Sequence, residues 1–121
     1  MKRMLLLVAL VLLPVIALAQ SADKPFLPMG ATTNVAVTGT AATLTLPSNP
    51  FPGSQWQVVL TCAGTQTCFF RNDGVTATVS NAMPVIANGQ FIVSLTAATT
   101  TLSVIASTTG STLYATAGLG L

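Results

Sequence analysis

The sequence predicts an all-β protein: a small single-domain β-sandwich, jelly-roll or Ig-like, of about eight short antiparallel strands. Three observations carry that expectation. From Thr32 onward Thr, Val and Ile dominate, while Glu and Lys are missing, and β-branched side chains suit a pleated, half-buried surface. Apolar residues alternate with polar ones, and no stretch holds a 3.6-residue period. Turn signals recur every ~8–12 residues, the spacing of sandwiches and small barrels. With 121 residues the chain is one domain at most.

The N-terminus reads as a signal peptide over residues 1–19. Lys2 and Arg3 precede a 16-residue apolar run from Met4 to Ala19, broken only by Pro14 and closed by Ala17-Leu18-Ala19. That is the basic, apolar and small-x-small order of a cleavable signal. The run falls short of the ~20 residues a spanning helix needs, so no stable membrane span is expected after cleavage. Cleavage after Ala19 leaves 102 residues, in which Lys24 and Arg71 balance Asp23 and Asp73. The basic balance of the whole chain therefore belongs to the signal. Residues 20–31, with Pro25, Pro28 and Gly30, read as an extended N-terminal arm, and residues 32–121 as the β-sandwich.

Within that domain the first strand is expected at 33–38, with Val35 and Val37 on one face. Gly39-Thr40 turns the chain into a strand at 43–46. The proline-rich stretch 47–53 cannot join a ladder. Residues 55–61 alternate Trp56, Val58 and Leu60 inward, and 68–71 is expected to pair back against them. Asn72-Asp73-Gly74 is a turn signal, leading to a short strand at 75–79. Asn81-Ala82-Met83-Pro84 breaks the chain, and 85–87 runs into Asn88-Gly89, a second turn signal. Residues 90–96 form a strand, 102–107 and 112–117 a last hairpin, and 118–121 a flexible tail. Trp56, Phe70, Phe91, Leu95, Leu102, Val104 and Leu113 are the expected core.

Cys62 and Cys68 are the only cysteines. An even count in an exported chain points to a disulfide, here closing the presumed hairpin loop 63–67. A redox pair would take the C-x-x-C spacing, and a metal site would need further ligands.

Composition excludes much chemistry. The chain has no His, no Glu and two Asp. Hence Ser–His or Cys–His nucleophiles, imidazole metal sites and paired-carboxylate hydrolysis have no residues to draw on. No enzyme, cofactor, metal or nucleic-acid role is expected. Arg71 and Asp73 flank a turn and read as a surface ion pair, or as a local recognition pair. Phe51, Phe69 and Tyr114 are candidate surface contacts, either a glycan platform or packing under loops. Thr-x-Thr pairs at 43/45, 65/67 and 76/78 lack the fixed repeat of an ice-binding array.

Charge is only 5% of the sequence, against ~25% in ordinary domains. Soluble sheets normally guard their edges and faces with charge. A neutral Thr-rich sheet is suited instead to packing against copies of itself or a larger protein assembly.

The order of several segments carries a resemblance. These are Thr33-Asn34-Val35-Ala36-Val37-Thr38-Gly39, Gln57-Val58-Val59-Leu60, Thr67-Cys68-Phe69-Phe70-Arg71, Ala82-Met83-Pro84-Val85, Gly89-Gln90 and the closing run Thr112 to Gly120. Together they resemble small β-sandwich structural proteins of tailed phages, of the capsid decoration, cement or short fibre type. The resemblance implies a non-enzymatic protein acting through surfaces, with no functional residues to transfer. Two features depart from it: such proteins begin at the domain without a signal peptide, and Cys62 is not expected among them. Both fit an exported relative, in the periplasm or outside the cell, with the virion as the alternative location. The alternative is a secreted adhesion or carbohydrate-binding module.

Overall fold

The computed structural model describes residues 26–119. The expected signal peptide, the first half of the N-terminal arm (residues 20–25) and the last two residues lie outside that range. Eight strands follow in order: β1 Leu27–Val37, β2 Ala42–Thr45, β3 Trp56–Gly64, β4 Cys68–Arg71, β5 Met83–Val85, β6 Gln90–Leu95, β7 Thr101–Ala106 and β8 Ser111–Leu119. They form two four-stranded antiparallel sheets, ordered β1-β8-β3-β6 and β2-β7-β4-β5.

The pairings are nested. β1 pairs with β8, β2 with β7, β3 with β6 and β4 with β5. One long folded-back ribbon wrapped into two layers gives this order, which is the jelly roll rather than the Ig arrangement. The expected all-β sandwich is what the chain forms.

Alternation places the core. Along β3, Trp56, Val58, Leu60 and Cys62 are buried and the intervening residues are not. β7 and β8 repeat the pattern with Leu102, Val104 and Ala106, and with Leu113, Ala115 and Ala117. Trp56 satisfies its one polar atom by donating Nε1–H to the Thr96 carbonyl at 3.1 Å. Phe70 packs on Phe91 across the layers, with ring centroids 5.8 Å apart. Of the expected core, Phe91 alone is half-buried; the other six residues are buried.

Several local expectations differ from the structure. β3 and β4 lie in different sheets, so 68–71 does not pair back on 55–61. β7 and β8 likewise belong to different sheets and form no hairpin. Each strand has a buried face, and a short connection serves equally well to carry the chain across the core. Residues 75–79 form no strand: an eleven-residue connection, 72–82, joins β4 to β5. The strand lies instead at Met83–Val85, where Pro84 is expected to break the chain. β5 is an edge strand, where proline forfeits no ladder bond. Asn88 takes φ 60° as the third residue of an Ile86–Gly89 turn, closed by Gly89 N–H to Ile86 carbonyl at 2.8 Å. That turn carries the chain between sheets rather than around a hairpin.

Both ends of the domain are more ordered than expected. β1 begins at Leu27 inside the presumed arm, pairing Leu27 with Leu119 and Pro28 with Gly118 before a register break ahead of Thr32. Gly118 and Leu119 are therefore strand, not free tail.

Candidate functional site

Cys62 and Cys68 form a disulfide with their Cα atoms 5.9 Å apart, both side chains fully buried. Because β3 and β4 belong to different sheets, the bond straps the two layers together at one end of the sandwich. The loop between them is tied to β8. Ser111 Oγ, buried, accepts from Gln66 N–H at 2.8 Å and donates to the Gln66 carbonyl at 2.6 Å.

Arg71 and Asp73 do form an ion pair. Arg71 Nε donates to Asp73 Oδ1 at 3.0 Å, and its Nη2 contacts the other carboxylate oxygen. Arg71 Nη1 also donates to the Asn81 carbonyl at 2.8 Å. The guanidinium thus clasps both ends of the 72–82 connection. Its hydrogen bonds hold the Asp73 carboxyl down at about 2, helped by the Val75 N–H. The pair remains in contact with water, the side chains being 25% and 48% exposed. Its geometry is that of a loop clasp. A shallow cavity of about 140 Å³ beside it is lined by Phe70, Asn72 and Met83 as well as the clasp. Among the described residues no cluster of three His, Cys, Asp or Glu forms.

The three aromatics are not brought together. Phe51 packs against the core from the 47–53 loop. Phe69 lies on the outer face of the β2-β7-β4-β5 sheet, opposite Ile105 and Pro84. Tyr114 lies on the outer face of the other sheet, between Asn34 and Thr61. They share no platform.

What the structure does assemble is two unlike outer faces. On the β2-β7-β4-β5 face the 72–82 connection folds back, its Ala77 buried and donating N–H to Ser103 Oγ at 2.8 Å. On the β1-β8-β3-β6 face the Phe26 ring packs over Gly118, while Tyr114 and Ile92 remain exposed. There, cross-strand rows run Thr32, Thr116, Val59, Ile92 and Asn34, Tyr114, Thr61, Gln90. No residue in these rows is charged. Thr32 and Thr116 hydroxyls bond at 2.7 Å, and Gln57 donates to Ser94 Oγ at 3.1 Å, so polar groups on this face are partly satisfied within it. Beside Ile92 the face sinks into a trough of about 660 Å³, floored by Val59 and walled by Phe26 and Pro28. Sequence reasoning named only Tyr114 here. The signal for the rest was the odd-numbered half of the Gln57-to-Ala63 alternation, meaningful only once β1, β8 and β6 flank it.

No family model matches this chain, and no curated protein or solved structure matches it either. Among the described residues no helix is long and apolar enough to cross a membrane.

Proposed function

We propose that this chain is an exported, non-enzymatic structural protein that assembles with itself or on a larger particle, through the outer face of the β1-β8-β3-β6 sheet. The observation that carries the reading is the absence of charge from the rows of that face. Strands about 30 Å long, four abreast at ~4.8 Å, make a footprint of roughly 600 Å². Two such footprints reach the ~1,200 Å² at which specific interfaces begin. A free surface of this size ordinarily mixes charges of both signs. This one offers Thr, Asn, Gln, Tyr, Val and Ile, which pack against protein without desolvating an ion.

Jelly rolls serve capsid domains, lectins and cupins alike, so topology does not choose among them. The surface does. A glycan platform needs neighbouring aromatic faces, and Phe51, Phe69 and Tyr114 lie on three separate surfaces. The likeness to phage decoration and fibre proteins agrees with the assembly reading, and a disulfide agrees with export.

Sedimentation over a wide concentration range tests it. Species larger than a dimer are expected, and Thr61→Lys, which puts an ammonium in the middle of the face, is expected to dissolve them. Wild-type protein that never exceeds a dimer, alone or with the particle it is expressed beside, would remove the reading.

A further inference from the structure

The four sheet edges are not closed off alike. β5 has three residues with Pro84 at its centre, and β2 has four; short strands and proline blunt an edge. β1 carries Pro28 and a register break. Just past its end, Thr38 accepts a hydrogen bond from Ala106 N–H of β7 at 2.8 Å, which bends that edge onto the second sheet. β6, Gln90–Leu95, has none of these devices. It holds no proline and no charge, and its register with β3 is unbroken from Trp56↔Leu95 to Thr61↔Gln90.

The direction of its backbone groups follows from β3. Cys62 donates N–H to the Gly89 carbonyl at 3.1 Å and accepts from Asn88 N–H at 2.7 Å, so its polar groups point towards the β6 side. Backbone groups alternate sides along a strand. Leu60, Val58 and Trp56 therefore point the same way, at Phe91, Val93 and Leu95. The N–H and C=O groups of Gln90, Ile92 and Ser94 are left facing the open edge, where no described strand pairs with them.

We propose that β6 pairs antiparallel with β6 of a second copy, about a two-fold axis at Ile92, making one continuous sheet across both. An isologous contact requires a strand to complement its own reverse, and this sequence does. With Ile92 opposite Ile92, Gln90 meets Ser94 of the other copy on the outer face, and Phe91 meets Val93 on the inner. Polar meets polar, apolar meets apolar, and no like charges oppose. Ile92, 46% exposed in one copy, is covered at the axis, and roughly six backbone hydrogen bonds form, two per hydrogen-bonded pair. The inference rests on the assembly reading and deepens it: pairing two β6 edges doubles the neutral face in a single plane.

The test is sedimentation of the purified full chain and its variants. Wild type is expected to form a dimer at low concentration, from which the larger species grow as concentration rises. Ile92→Pro, which removes an N–H that no intramolecular ladder uses, is expected to be monomeric with an unchanged far-ultraviolet spectrum. Should that variant not fold, Ile92→Lys keeps the N–H and sets two ammonium groups against each other at the axis; it too is expected to be monomeric. Ile92→Cys is expected to cross-link to a dimer on oxidation, since hydrogen-bonded antiparallel partners lie ~5.5 Å apart at Cα, within disulfide reach. A folded Ile92→Pro that still dimerises, or an Ile92→Cys that does not cross-link, would overturn the pairing. The outcomes separate it from the reading it rests on. Thr61→Lys dissolving the dimer while Ile92→Pro leaves it intact would sink the edge pairing and leave the face standing. A dimer that depends on Ile92 but never grows further would do the reverse.

Discussion

At the residue scale, two positions show how tightly the sandwich is drawn. Gly64 ends β3 at φ +140°, and a Cβ there would lie 2.2 Å from the Gly110 carbonyl oxygen. The close approach is where Thr65 N–H bonds the same carbonyl at 3.1 Å, so the backbone has no room to withdraw. Gly64→Ala combines a disfavoured φ with a backbone clash, and is expected to destabilise by about 3 kcal/mol or more in denaturant titration. Thr33 presents the opposite case. It sits on β1 opposite buried Ala115, and its Oγ1 is buried without a hydrogen-bond partner. Thr33→Val keeps the shape and discards the unpaired hydroxyl, so a gain of about 1 kcal/mol is expected. A loss on the same titration would mean that the hydroxyl is satisfied in solution. Neither position was legible in the sequence. A glycine or threonine in a strand is ordinary until the strand packed against it is known.

At the element scale, strands were legible and their partners were not. Alternation located β3, β6, β7 and β8 because a half-buried strand must alternate whichever sheet it joins. It carries no information on which sheet that is. A six-residue separation between Cys62 and Cys68 looks the same for a hairpin as for a corner between layers. β5 was hidden for a related reason: Pro84 excludes a central strand but not an edge. The disulfide consequently has a different task from the one its spacing suggested, holding two sheets together rather than two neighbours in one. Closing a loop of about seven residues is worth roughly 2.4 kcal/mol by chain entropy. The double variant Cys62→Ala/Cys68→Ala should lose at least that much, since both side chains also fill the core. For a domain of this size that is a fall of roughly 10–20 °C in melting temperature. Reductant should lower the melting temperature of the wild type and leave the double variant where it is. Equal melting of the two oxidised proteins would show that the strap adds nothing to stability.

At the scale of the whole molecule, the scarcity of charge governs its response to pH as well as its surface. Arg71 and Asp73 are the only charged side chains between residues 26 and 119, and the chain has no His and no Glu. Asp73 is thus the one side-chain carboxylate among the described residues, and the fold perturbs its titration. Its hydrogen bonds with Arg71 hold it at about 2, below the ~3.9 of an unfolded chain. A carboxyl depressed by folding contributes stability that is present above its unfolded value and is lost as pH falls towards its folded one. The contribution is therefore intact above about pH 4 and disappears between about 4 and 2. Side-chain titration leaves nothing to alter stability from pH 5 to 8, the interval in which His-bearing proteins change charge. Melting temperature is expected to be flat across that interval and to decline only below about pH 4. Asp73→Asn should remove the acid decline by lowering the plateau to the level the wild type reaches once Asp73 is protonated, a small change because the clasp is exposed. A slope between pH 5 and 8 would contradict this assignment of the titrating groups. A variant whose acid decline matched the wild type would show that the clasp is not what the acid releases. The same neutrality that leaves a sheet face and a sheet edge free to meet protein thus predicts a fold indifferent to pH over the neutral range.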